Sequence, residues 1–143
     1  MLQIQSVNHV GIRVSNKSAS IDFYAQLGFD LVSDVGFENG HPVIMKHPSG
    51  VVINLLGPAT TGSDSNVLMD IDEKHAGITH VALTVSSIEH ARSFADDSGI
   101  AITGSFSFGN ISAISIRDPD RNVIELDAYD EAECDEAGYE HHP

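Results

Sequence analysis

The sequence predicts an α+β fold built from two tandem βαβββ modules, and three observations carry that prediction. The phrase NHVGIRV at 8–14 returns, little changed, as THVALTV at 79–85. Sliding the chain against itself by 71 positions, with no gap, brings His9, Val10, Val14 and Ser15 onto His80, Val81, Val85 and Ser86. The same offset brings Phe23 onto Phe94, Gly28 onto Gly99, Asn39 onto Asn110 and Pro48 onto Pro119, and sets VVINLL (51–56) on NVIELD (122–127). Finally, each copy passes from a period of two to a helical period and back, which is the patterning of strand, helix and strands. The modules span 5–57 and 76–129 and form one domain over 1–129.

Each element follows from local chemistry. In the opening strand Val10, Ile12 and Val14 alternate with His9, Gly11 and Arg13, so the two sets face opposite sides. Ala19, Phe23, Tyr24 and Leu27 then make a helical stripe that stops at Gly28. In the second copy Ser86 and Glu89 read as a capping box, Ile88, Ala91, Phe94 and Ala95 as the stripe, and Gly99 as the stop. Three short apolar strands follow in each copy, near 30–36, 42–46 and 51–56, then 101–107, 111–117 and 122–128. The last two of each trio are joined by KHPSG and RDPDRN, which hold the Pro, Asp and Ser that turns favour. Residues 58–75 break the pattern with Pro, Gly, Thr and Ser and read as an inter-module linker; 130–143 are acidic and aperiodic and read as a solvated tail.

Composition narrows the function. Lys and Arg number 7 against 21 Asp and Glu, a formal net charge of −14, which repels phosphate backbones and anionic membranes. Neither nucleic acid nor a membrane is an expected partner; a small-molecule substrate is. No apolar run approaches the ~20 residues that span a bilayer, and the start lacks a leader pattern, so a cytoplasmic location is expected. One cysteine, Cys134, excludes an intrachain disulfide and a cysteine-based zinc site.

The polar residues left off the core face carry the functional signal. His9 and His80 stand opposite the valines and isoleucines of their strands. Ile53 and Leu55 take the core face, which leaves Asn54 on the other; by the same alternation Glu125 stands opposite Ile124 and Leu126. Two imidazoles and one carboxylate suit a divalent first-row metal with open positions, so His9, His80 and Glu125 are the candidate ligands. Arg13 shares the face of His9; Arg117 shares the corresponding side beside a turn, within reach of solvent. His41, His47, His75, His90, His141 and His142 read as solvated, and Phe106 and Phe108 as pocket-lining, core or surface-loop residues.

HVGIRV, FYAQLGF, HPSGVVINLL, HVALTV and DPDRNVIELDAY, in this order and spacing over about residues 5–129, resemble the vicinal oxygen chelate superfamily of glyoxalases, bleomycin-resistance proteins and extradiol dioxygenases. That resemblance implies sheets curled around a metal-centred cleft, with positions 9, 54, 80 and 125 as the ligand positions. It implies one divalent metal per site (Ni, Co, Zn, Mn or Fe), Glu125 as the carboxylate that also moves a proton, Arg13 and Asn54 as substrate-binding, and a homodimer. Asn54 departs from lactoylglutathione lyase, which has glutamate there, and is closer to the glutamine of methylmalonyl-CoA epimerase. Three activities are therefore expected in order: a glyoxalase-type lyase or isomerase, an Fe(II) extradiol-type dioxygenase, and a non-catalytic drug-binding protein. With a single metal-site glutamate a separate base is called for, and Glu38 is the speculative candidate.

Overall fold

A computed structural model describes residues 1–62 and 64–130; residues 131–143 of the acidic tail, with Cys134, His141 and His142, lie outside the described residues. Two compact units divide at Ser65/Asn66. In the first, β1 (Val10–Arg13) leads through α1 (Lys17–Gln26) to β2 (Asp30–Asp34), β3 (Val43–Lys46) and β4 (Val52–Leu56). In the second, β5 (His80–Thr84) leads through α2 (Ile88–Asp97) to β6 (Gly104–Phe108), β7 (Ile111–Arg117) and β8 (Val123–Tyr129). The sheets run β1-β4-β3-β2 and β5-β8-β7-β6, so the expected βαβββ order is present twice. Both are four-stranded and open.

The repeat extends to the register. β1 lies parallel to β4 with Gly11 opposite Asn54, and β5 lies parallel to β8 with Ala82 opposite Glu125, each pair offset by 71 from the other. The remaining pairings are antiparallel. A parallel pairing of first and last strands needs a crossover, and the helix with its following hairpin supplies it. One face of each sheet is apolar and buried: Ile12, Val14, Val43, Met45, Ile53 and Leu55 in the first unit, and Ile114, Ile116, Ile124, Leu126 and Ala128 in the second. In the second unit α2 covers that face, with Ala91 and Ala95 buried against β7 and β8.

Helix α2 begins one residue later than a capping box at Ser86 requires. Ser87 is the N-cap of α2, with extended φ and ψ, and its hydroxyl accepts from the His90 amide at 3.2 Å. Glu89 is then two residues on rather than three; it accepts from the same hydroxyl at 3.3 Å instead of reaching back to the cap amide. The repeat holds here too, since Asn16 caps α1 by accepting from Ala19 N at 2.9 Å, and 16 falls on 87. Both helices end at a glycine with positive φ, Gly28 at 100° and Gly99 at 69°. Phe23 and Tyr24 of α1 are buried edge-to-face at 5.0 Å, and Tyr24 meets Phe29 at 6.1 Å. His47 is not simply solvated as expected: its ring lies 5.3 Å from that of Phe29, and its Nδ1 accepts from Ser49 N at 3.0 Å.

Residues 66–70, inside the expected linker, are fastened to the second unit. Arg117 donates to Asp70 from both terminal nitrogens, at 2.9 and 3.0 Å, and Asn66 Nδ2 donates to the Arg121 carbonyl at 3.1 Å. Arg117 thus serves a clamp rather than solvent. The Arg117 hydrogen bond, then the Asn66 amide, and the charges of Arg117 and Arg121 hold the Asp70 carboxyl well below the ordinary carboxylate value of 3.8.

Two predictions test this description. A lowered folded-state pKa means the Asp70 clamp contributes fully above pH 3.8 and is lost as pH falls below it. Asp70→Asn should therefore lower stability near neutrality by on the order of 1 kcal/mol, as bidentate surface pairs do. In denaturant melts the gap from the parent should close in acid; a gap independent of pH contradicts the clamp. The sheet faces are tested by adjacent residues of β8. Ile124→Ala should cost about 2–5 kcal/mol and Glu125→Ala under about 1, by the same melts.

Candidate functional site

β8 carries the centre of the site because its alternation runs beyond Glu125. Ile124, Leu126 and Ala128 face the helix, so Glu125, Asp127 and Tyr129 share the open side. The parallel register places Ala82 beside Glu125 and Thr84 beside Asp127, while β7 sets Ser115 and Ala113 on their other flank. His80, at the start of β5, is one step along the same face. Its Nε2 lies 3.4 Å from Glu125 Oε1, with the imidazole side chain 38% and the carboxylate side chain 14% exposed. The sequence-predicted pair is therefore brought together, with the carboxylate the more enclosed partner.

Asp127 is the residue that sequence reasoning missed. Burial first, then a hydrogen bond and the negative charge of neighbouring Glu125, push its carboxyl up to about 7, against the opposing attraction of His80. Its Oδ1 is buried without a hydrogen-bond partner. The signal was present in VIELDAY, where an acid two residues after Glu125 must share its face. Two adjacent carboxylates on a largely apolar sheet are electrostatically unfavourable unless a cation or a proton intervenes.

The first unit presents the corresponding positions. His9 immediately precedes β1 and is exposed; Gly11 and Arg13 follow on its face and are exposed as well. Asn54 of β4, opposite Gly11 on β1 and Ile44 on β3, is half-buried, and its Oδ1 is buried with no hydrogen-bond partner. Glu38 stands exposed on a one-turn 3-10 helix between β2 and β3. Phe106 and Phe108 are exposed on β6, and the register with Ala113 and Ile111 sets both on the side of Glu125.

Whether these residues suit a divalent metal is a question of donor chemistry. An imidazole nitrogen and a carboxylate oxygen 3.4 Å apart form a pair of donors of the right type, and the orphaned Asn54 Oδ1 is an oxygen that lacks its counterpart. Among the described residues no group of three or more His, Cys, Asp or Glu side chains is drawn together as a metal site. The donors thus fit as partial sets, two in the second module and His9 with Asn54 in the first.

Comparison with known proteins agrees with the repeat. The family model described as the Glyoxalase/Bleomycin resistance protein/Dioxygenase superfamily matches residues 6–126. No curated protein matches the chain. Among solved structures, a glyoxalase/dioxygenase from Nostoc punctiforme is 19% identical at a TM-score of 0.70, covering 87% of this chain and 91% of its own. An antibiotic binding protein from Streptomyces is 20% identical at 0.67, covering 90% and 99%. A lactoylglutathione lyase from Agrobacterium tumefaciens is 16% identical at 0.65, covering 88% and 95%. At these identities the likeness is one of fold.

An unsatisfied buried carbonyl costs about 1–3 kcal/mol, a load that a purely structural residue is not expected to carry. Asn54→Leu should therefore leave the melting temperature unchanged or raised. A clear drop would show that the Asn54 amide is already satisfied and supports the sheet.

Proposed function

Because the chain belongs to the glyoxalase/bleomycin resistance protein/dioxygenase superfamily, we propose that it is a metal-dependent enzyme of the glyoxalase type, a lyase or isomerase acting on a small molecule with neighbouring oxygens. The observation that carries this reading is the His80–Glu125 pair, 3.4 Å apart on the open face of the second sheet. His80, Glu125 and His9 would hold the ion, and Asn54 stands at the fourth family position. A divalent ion bound there supplies Lewis-acid polarisation of a substrate carbonyl, which acidifies the neighbouring C–H.

The chain's own residues do the rest. Glu125 is the proton carrier: it is enclosed, next to a polar partner, and presented by a strand whose other face is locked in the core. Arg13, on the face of His9, is suited to a substrate carboxylate through its bidentate guanidinium. Asn54 offers an amide to a substrate oxygen or to the ion. A full donor set needs one module of each type, and a two-fold homodimer supplies each type twice, giving two equivalent sites.

The test is divalent-metal binding measured by calorimetry and by metal content after purification. His80→Ala and Glu125→Ala should each abolish tight binding while leaving the circular dichroism spectrum intact, since both side chains lie off the core face. Metal affinity equal to the parent's in either variant sinks the ligand assignment. Tightly bound iron with ring-cleaving activity would move the reading to a dioxygenase, and a protein that binds no metal would move it to a binding function.

A further inference from the structure

Both modules hold their opening histidine by the residue before it. His9 Nδ1 lies 2.7 Å from Asn8 Oδ1, and His80 Nδ1 lies 2.8 Å from Thr79 Oγ1. The 71-residue offset that relates the modules carries position 8 onto position 79, so the two contacts are one feature made with different chemistry. We infer that Asn8 and Thr79 are positioning residues: both set ring orientation, and Asn8 also fixes proton placement in His9, so that Nε2 is the nitrogen offered to a cation. This inference rests on the metal reading proposed above.

The physical argument begins with the tautomer. A neutral imidazole has one N–H and one lone pair, and only the lone-pair nitrogen ligates a metal. A carbonyl-type oxygen accepts hydrogen bonds and cannot donate. Asn8 Oδ1 therefore selects the form of His9 with the proton on Nδ1 and the lone pair on Nε2. An imidazole without such a partner rotates about its side-chain bonds and divides its proton between the two nitrogens. Fixing both in advance removes that loss from the binding step.

Thr79 differs in a way that suits its surroundings. The His80 Nε2 faces Glu125 Oε1 at 3.4 Å, a carboxylate that favours a proton on Nε2 when no cation is present. A hydroxyl both donates and accepts. With the proton on Nε2, Thr79 donates to Nδ1; in the Nδ1–H form, which leaves the Nε2 lone pair for a cation, the Thr79 hydroxyl accepts the hydrogen bond from Nδ1. His9 is held in one form by an amide, and His80 keeps a partner in either form.

The test uses protein labelled with 15N at histidine, studied free of metal about two units above the ordinary imidazole pKa of roughly 6.5. Two-bond nitrogen–proton correlation spectra report each ring's tautomer directly, and zinc alone is the probe for calorimetry. His9 of the parent should be the Nδ1–H form. Asn8→Leu should convert it to a mixture rich in Nε2–H and weaken zinc binding about 10–100-fold, while Asn8→Asp keeps the Nδ1–H form. Thr79→Val should weaken zinc binding comparably, and Thr79→Ser should restore it. An Nε2–H form of His9 in the parent, or spectra unchanged in Asn8→Leu, overturns the inference. Should the parent bind no zinc while His9 still loses its Nδ1–H form in Asn8→Leu, the metal reading falls and the positioning role of Asn8 stands.

Discussion

The parallel pairing of first strand with last is the constraint on which the rest depends. In β1–β4 and again in β5–β8 it sets the residue after the opening histidine beside the residue before the polar position, as Val10 beside Ile53 and Val81 beside Ile124. Those apolar partners are drawn to the core side, with Ile53 and Ile124 fully buried. Because side chains alternate, their neighbours must emerge together on the opposite face. A shift of one residue would bury Glu125 and expose Ile124, so apolar burial on one face enforces the register of the polar face. The site is thus held by the hydrophobic core behind it, which keeps stability and chemistry on opposite surfaces of the same strands.

That division has an electrostatic consequence. Glu125 and Asp127 are neighbours on one face, flanked by Ala82, Thr84, Ser115 and Ala113, and the protein compensates only in part. His80 approaches one of them, and the other is driven toward its protonated form by burial and by its neighbour's charge. Buried oxygens without partners recur in both modules, Asn54 Oδ1 in the first and Asp127 Oδ1 in the second. Groups arranged this way destabilise an empty protein and favour one that has bound something positively charged or hydrogen-donating. Both fall on the face opposite the core.

Much of this was legible in the sequence because it depends on short-range periodicity and on a repeat. The faces of His9, Asn54, His80 and Glu125 follow from alternation against valine, isoleucine and leucine, and the matched offset identifies which polar positions correspond. What was missed falls into two kinds. Asp127 and the Ser87 cap were within reach of local rules: alternation extends past Glu125, and the offset from Asn16 points to Ser87 rather than Ser86. The Asp70–Arg117 clamp and the His47–Phe29 contact were not, since they join residues distant in the chain whose proximity only the folded sheet defines. Asp70 sits in a stretch with the composition of a free linker, and composition does not reveal an anchoring ion pair.

In the function proposed above, two histidines at matched repeat positions and one carboxylate hold a single ion. X-ray absorption spectroscopy of the protein loaded with cobalt counts the imidazoles around that ion directly. Two imidazoles per cobalt are expected, with the remaining positions filled by oxygen. One imidazole or none, at full cobalt loading, would contradict that arrangement.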